Sequence, residues 1–150
     1  MNEAAPPCLV IGLGCQRGCP VSVLEGLIEV SLLEHRLTLA DICALASIDL
    51  KSSESGLLDL AERLALPLAF FSAEELAAFE VQLSHRSQIA FESTGCHGVA
   101  ESAALAMASR LSGSPARLVI ERRNSSRATF ALAAAAPSER ALHSQDMKTP

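Results

Sequence analysis

The sequence predicts an α/β fold: a single three-layer α/β/α domain with a mostly parallel or mixed central sheet. Three observations predict it. Short, continuously apolar runs alternate with stretches of helical periodicity, the pattern of strands covered on both faces by helices. Two glycine-marked loops, Gly12-Leu13-Gly14-Cys15-Gln16-Arg17-Gly18 and Gly95-Cys96-His97-Gly98-Val99-Ala100-Glu101, each read as a strand-to-helix turn. The 150 residues are 49% hydrophobic, enough for one compact core.

The elements follow in order. Residues 1–7 form a loose leader. Residues 8–13 are apolar without alternation and read as a buried strand. Pro20 suits the first turn of a helix, in which Val21, Leu24, Leu27, Ile28 and Leu32 recur at helical spacing. Thr38 and Asp41 have capping-box spacing and predict a short helical turn. Residues 42–48 either continue that helix or form a second strand. Residues 49–55 are a polar loop. Leu57, Leu58, Ala61, Leu64 and Ala65 mark a helix that stops before Pro67. Residues 68–71 are a short strand, and Ser72 with Glu75 caps the next helix. Residues 88–91 read as a minor strand. Residues 98–111 are a strong helix. Residues 117–121 and 129–136 read as two closing strands around Arg-Arg-Asn-Ser-Ser, against the helix propensity of Ala133 to Ala136. The domain is expected to occupy residues 1–136, with a disordered polar tail over 137–150.

Composition excludes several classes. A net charge of -5 and the absence of Trp and Tyr argue against nucleic-acid binding and against a base-stacking platform. No apolar run reaches the roughly 18 residues of a membrane span, and no signal peptide is read. The five cysteines have no framework spacing, so reduced thiols and a cytoplasmic location are expected. Cys15, Cys19, Cys96 and His97 match a zinc set by type only, and they read as buried thiols and a loop histidine. The first loop departs from G-x-G-x-x-G, so a dinucleotide is not expected. No metal and no cofactor is expected.

The candidate site is anionic in its ligand. Glycine permits close backbone approach, and a helix N-terminus offers free N–H groups. Gly12, Gly14, Cys15, Arg17, Gly95 and Gly98 are candidate binding residues in the two loops. Five arginines and one acid, Glu121, lie between Arg110 and Arg127, and Arg122 and Arg123 are the binding candidates there. Lys51 can hold a carboxylate or polarise a carbonyl. Glu54 can serve as a general base or complement the following helix dipole, with Ser53 as its cap. His97 and Glu101 complete the catalytic candidates. Glu101 in a first helical turn also has a purely structural reading, dipole complementarity.

Together these residues resemble a known family. Gly12-Leu13-Gly14-Cys15, then Ala46-Ser47-Ile48-Asp49-Leu50-Lys51 with Glu54-Ser55-Gly56-Leu57, then Pro67-Leu68, the helix start at 72–76 and Gly98-Val99-Ala100-Glu101-Ser102-Ala103-Ala104 are similar, in this order, to the CobE/CbiG C-terminal domain family of cobalamin (vitamin B12) biosynthesis. The resemblance covers roughly residues 8–136. It departs at Cys19-Pro20, where many relatives have a small hydroxyl residue, and at Glu121-Arg122-Arg123, where a lysine is common.

The resemblance implies an α/β/α domain and a role among the precorrin intermediates of the aerobic pathway. CbiG proteins, which carry an additional N-terminal domain, open a δ-lactone on cobalt-precorrin-5A and release acetaldehyde. The expected function is binding or carrying a precorrin-type tetrapyrrole, with other cobalamin biosynthesis enzymes as further partners. Two alternatives stay open: hydrolysis of a lactone or acyl group on a precorrin, and a non-catalytic interaction module.

Overall fold

The computed structural model describes residues 8–135, which form one five-stranded sheet between two helical layers. The leader over 1–7, the tail over 137–150 and Ala136 lie outside the described residues.

Strand β1 (Leu9–Cys15) is followed by α1 (Val21–Glu34), β2 (Ile42–Ile48), α2 (Ser55–Leu64) and β3 (Leu68–Phe71). Then come α3 (Ala73–Ala77), α4 (Gln88–Thr94), α5 (Val99–Ser112), β4 (Ala116–Asn124) and β5 (Ala128–Ala135). The strand order is β3-β2-β1-β5-β4. β1, β2 and β3 pair in parallel, whereas β5 is antiparallel to both β1 and β4. The sheet is therefore mixed.

Alternation along β1 divides the core. Leu9, Ile11 and Leu13 face Leu24, Ile28, Leu57 and Leu60 of α1 and α2. Val10, on the other face, packs with Ala103, Ala104 and Met107 of α5. Strands β1 and β2 thus lose water on both sides, and they read as unbroken apolar runs for that reason. Helix α5 is buried continuously from Val99 to Ala108. Its alanines bring it close to the sheet, and Gly12 answers on β1. A Cβ on Gly12 would lie 1.9 Å from the Ala100 carbonyl oxygen.

Local signals set the element ends. Ser72 and Glu75 form the expected reciprocal cap of α3: Ser72 Oγ accepts the Glu75 N–H, and Glu75 Oε1 accepts the Ser72 N–H. Asp41 Oδ2 accepts the Thr38 N–H at 2.8 Å and starts the short turn Leu39–Asp41. Pro20 stands at the N-cap of α1.

Several expectations are corrected. Residues 88–91 belong to α4, not to a strand, because Ser87 Oγ accepts the Ala90 N–H and caps a helix there. Residues 42–48, open between helix and strand in the sequence, are strand β2, paired on both sides. Glu54, not Ser53, is the N-cap residue of α2. β4 extends to Asn124, which moves Arg122 and Arg123 from the turn into the strand. As expected, the alanines at the end of β5 are strand despite their helix propensity, because they pair with β1 and β4 and are buried.

The expectation of uniformly reduced cysteines is also corrected. Cys8 and Cys43 form a disulfide. The parallel register places Leu9 beside Ile42, which brings the two cysteines together across neighbouring strands. Cys15, Cys19 and Cys96 are free thiols. Among the described residues no helix is long and apolar enough to cross a membrane.

Candidate functional site

A cavity of about 320 Å³ opens at the carboxyl ends of β1 and β2. Open α/β sheets place ligands at this edge. Its floor is Gly14 and Cys15 of β1 with Ile48 of β2. The segment His97-Gly98-Val99-Ala100 brings in the start of α5, and Ile89, Ala90 and Ser93 of α4 form one wall. Lys51, Arg122 and the β4–β5 turn through Arg127 form the wall opposite in chemistry.

The electrostatics of that wall favour an anion. Among the described residues, Lys51, Arg122 and Arg127 enter no ion pair. Arg127 only reaches back to donate a hydrogen bond to the Arg17 carbonyl at 3.4 Å. No side chain caps α5 at Gly98, so the first-turn amides of a 14-residue helix meet the cavity uncapped. Hydroxyls of Ser87, Thr94, Ser125 and Thr129 add neutral hydrogen-bonding capacity.

The sequence candidates separate into two groups. Gly14, Cys15, Lys51, His97, Gly98 and Arg122 come together on the cavity. The other six shape its surroundings. Gly12 lies beneath α5 and makes room for it. Gly95 ends α4 at φ 80°, a backbone region that favours glycine. Arg17 is exposed beyond the rim, in the loop that Glu54 fastens: Glu54 Oε1 accepts the Gly18 N–H at 2.9 Å. Arg123 points to the opposite face of the sheet, where it pairs with Glu34 of α1 at 2.7 Å. An irregularity in the β4–β5 register between Ile120 and Arg123 accompanies this split between neighbouring arginines.

Glu101 is 1% exposed, and its carboxylate does not line the cavity. Oε1 accepts the Ser84 N–H and Oε2 accepts the Arg122 N–H, both at 2.8 Å. The Ser84 hydroxyl donates to Oε2 as well. Glu101 therefore ties the loop before α4 and strand β4 to the start of α5, and it holds Arg122 in place through its backbone.

Two groups at the site lie outside the sequence candidates. Arg127 was within the arginine excess but was not singled out. Glu80, in the short turn Glu80–Gln82, contacts His97: Nδ1 lies 2.6 Å from Glu80 Oε2. This hydrogen bond is the main cause that holds the Glu80 carboxyl below its ordinary range. No sequence signal links two residues that the loop brings together from 17 positions apart.

Cys15 faces the cavity, but its thiol is pushed up to about 11, chiefly by burial and by the neighbouring Cys19, against a smaller opposing effect of Lys51. The thiolate is the nucleophile. Iodoacetamide at pH 7.5 should therefore leave Cys15 unmodified in the folded chain, with labelling rising only as pH approaches 11; peptide mass mapping reads this. Rapid labelling at pH 7.5 would contradict the assignment. Among the described residues no group of three or more His, Cys, Asp or Glu side chains is placed to hold a metal.

Comparison with known proteins gives the family. A family model described as "Cobalamin synthesis G C-terminus" matches residues 9–133. Protein CobE of Sinorhizobium sp is 40% identical over 125 residues, covering 83% of this chain and 79% of that protein. A cobalt-precorrin-5A hydrolase of Priestia megaterium is 36% identical over 100 residues, 67% of this chain; the match spans only 26% of the hydrolase. Among solved structures, that of CobE, a protein from the cobalamin (vitamin B12) biosynthetic pathway, superposes with a TM-score of 0.84 at 44% identity, covering 89% of this chain and 94% of that one. The chain belongs to the cobalamin synthesis G C-terminus family, and its place is in cobalamin biosynthesis.

Proposed function

We propose that the cavity binds the carboxylate-bearing edge of a precorrin-type tetrapyrrole in the aerobic pathway, and that the chain holds this intermediate or hands it to other cobalamin biosynthesis enzymes. One observation carries the reading. Lys51, Arg122 and Arg127, without ion-pair partners among the described residues, surround the uncapped start of α5 in a chain of net charge -5. A precorrin is an apolar macrocycle fringed by acetate and propionate groups. A cavity of about 320 Å³ is at the small end for ligand sites. It suits the charged periphery, with the macrocycle lying over Ile89, which is 80% exposed on the α4 wall. The same reading places the chain in the cytoplasm, where the pathway's intermediates would be met.

Each charge-assisted contact contributes roughly 1.5–3 kcal/mol when partly desolvated. Lys51→Met and Arg122→Met should therefore each weaken precorrin binding by about tenfold or more, with the thermal midpoint little changed. Absorbance titration with a panel of precorrins measures this. Unchanged affinity in both variants would sink the proposal. No binding by the wild-type chain would favour the interaction-module reading.

A second reading is favoured by His97. It stands on the cavity wall with Nδ1 engaged by Glu80, which leaves Nε2 as the nitrogen for a ligand. The similarity to a cobalt-precorrin-5A hydrolase gives this reading a substrate, cobalt-precorrin-5A. Mass spectrometry of the titrated ligand separates the two: an unchanged mass means a carrier, and a gain of water or loss of acetaldehyde means a hydrolase.

A further inference from the structure

The loop between the turn Glu80–Gln82 and α5 carries a second constellation, held together with unusual completeness for an exposed segment. The His97 carbonyl accepts the Ser87 N–H at 2.9 Å, which fixes the backbone. The His97 ring stacks on Phe91 of α4, with centroids 4.3 Å apart and planes 15° apart. Nδ1 meets Glu80 Oε2 at 2.6 Å, with both side chains about three-quarters shielded from solvent. Arg86 donates to the Glu80 carbonyl at 3.1 Å, and its charge also favours the ionised carboxylate. A histidine needs none of this to serve as a loop residue. Together these contacts fix the ring's orientation and engage its Nδ1.

We propose that Glu80 is a positioning residue for His97: it holds the imidazole as the Nδ1–H tautomer and turns Nε2 to the cavity as the proton acceptor for water attacking an ester or lactone carbonyl of the bound ligand. This rests on the hydrolytic reading above. In the step, the water oxygen bonds to the acyl carbon and its proton passes to Nε2. The acyl–oxygen bond then breaks, and the same proton passes from Nε2 to the departing alkoxide. Water is consumed, a carboxyl and a hydroxyl group are produced, and the imidazole returns to its starting state. Lys51 and the first-turn amides of α5 are the groups available to the oxyanion, and Arg122 and Arg127 are the other charges on the cavity wall.

The test uses the full chain. In ¹⁵N-labelled protein, imidazole nitrogen shifts should show the neutral His97 ring as the Nδ1–H tautomer alone. Glu80→Met should give a mixture of tautomers, and Glu80→Asp should restore the single form. On cobalt-precorrin-5A, Glu80→Met should lower kcat by about tenfold or more with KM nearly unchanged, and Glu80→Asp should recover part of the loss. A tautomer or kcat indifferent to Glu80→Met overturns the proposal alone. A fixed tautomer in a wild-type chain that binds but never turns over cobalt-precorrin-5A overturns the hydrolytic reading, and the proposal with it.

Discussion

Gly12→Ala should be among the most damaging single substitutions in the chain, lowering stability by about 3 kcal/mol or more. The added methyl would lie 1.9 Å from the Ala100 carbonyl oxygen and 2.7 Å from the Ala104 nitrogen. Both are backbone atoms of α5, so no rotamer change relieves the overlap. The helix would have to move off β1, although its buried face also packs on β2, β4 and β5. Ala100, at the start of that helix, lines the cavity. The substitution should therefore weaken ligand binding as well as lower the urea midpoint. A midpoint shift equivalent to less than about 1 kcal/mol would contradict the close approach on which the three-layer arrangement depends.

Glu101→Leu should cost on the order of 3–5 kcal/mol. Leucine approximates the volume but leaves the N–H groups of Ser84 and Arg122 without their acceptor. Each unsatisfied buried donor costs roughly 1–3 kcal/mol. Because Glu101 grips Arg122 through its N–H, the basic wall should loosen too. Urea unfolding measures the first effect, and ligand titration below the unfolding transition measures the second. A variant with wild-type stability would mean that the buried carboxylate is not the clasp between α5 and β4.

The fold was legible where a local chemical device sets it. Pro20 and the Ser72–Glu75 box announce helix starts, and the apolar runs at β1 and β3 announce buried strands. Legibility failed where the deciding interaction is distant. Ile-Cys-Ala-Leu-Ala-Ser-Ile in β2 lacks alternation because both faces are covered, so its pattern fits a helix equally well. The Cys8–Cys43 bond follows from the β1–β2 register, which no spacing rule reveals. Residues 88–91, Gln-Ile-Ala-Phe, are too few to show a period, and Ser87 caps a helix there.

The site divides along the same line. Lys51, His97, Gly98 and Arg122 line the cavity, and each sits just after a strand, just before a helix or in a basic run. Glu54, Arg17 and Arg123 carried the right chemistry for an anion site, yet their contacts lie with Gly18, with the loop rim and with Glu34. Chemistry alone does not tell which of two neighbouring arginines faces the cavity. Glu80 was missed because its meaning comes entirely from contact with His97.

The most direct test of the central claim is to locate the bound ligand by amide chemical-shift mapping during a precorrin titration of the ¹⁵N-labelled chain. The account predicts saturable shifts at Gly14, Cys15, Val99, Ala100, Arg122 and the β4–β5 turn, and their loss in a Lys51→Met/Arg122→Met double variant. Shifts confined to the α1–α2 face, or saturable binding that the double variant retains in full, would contradict it.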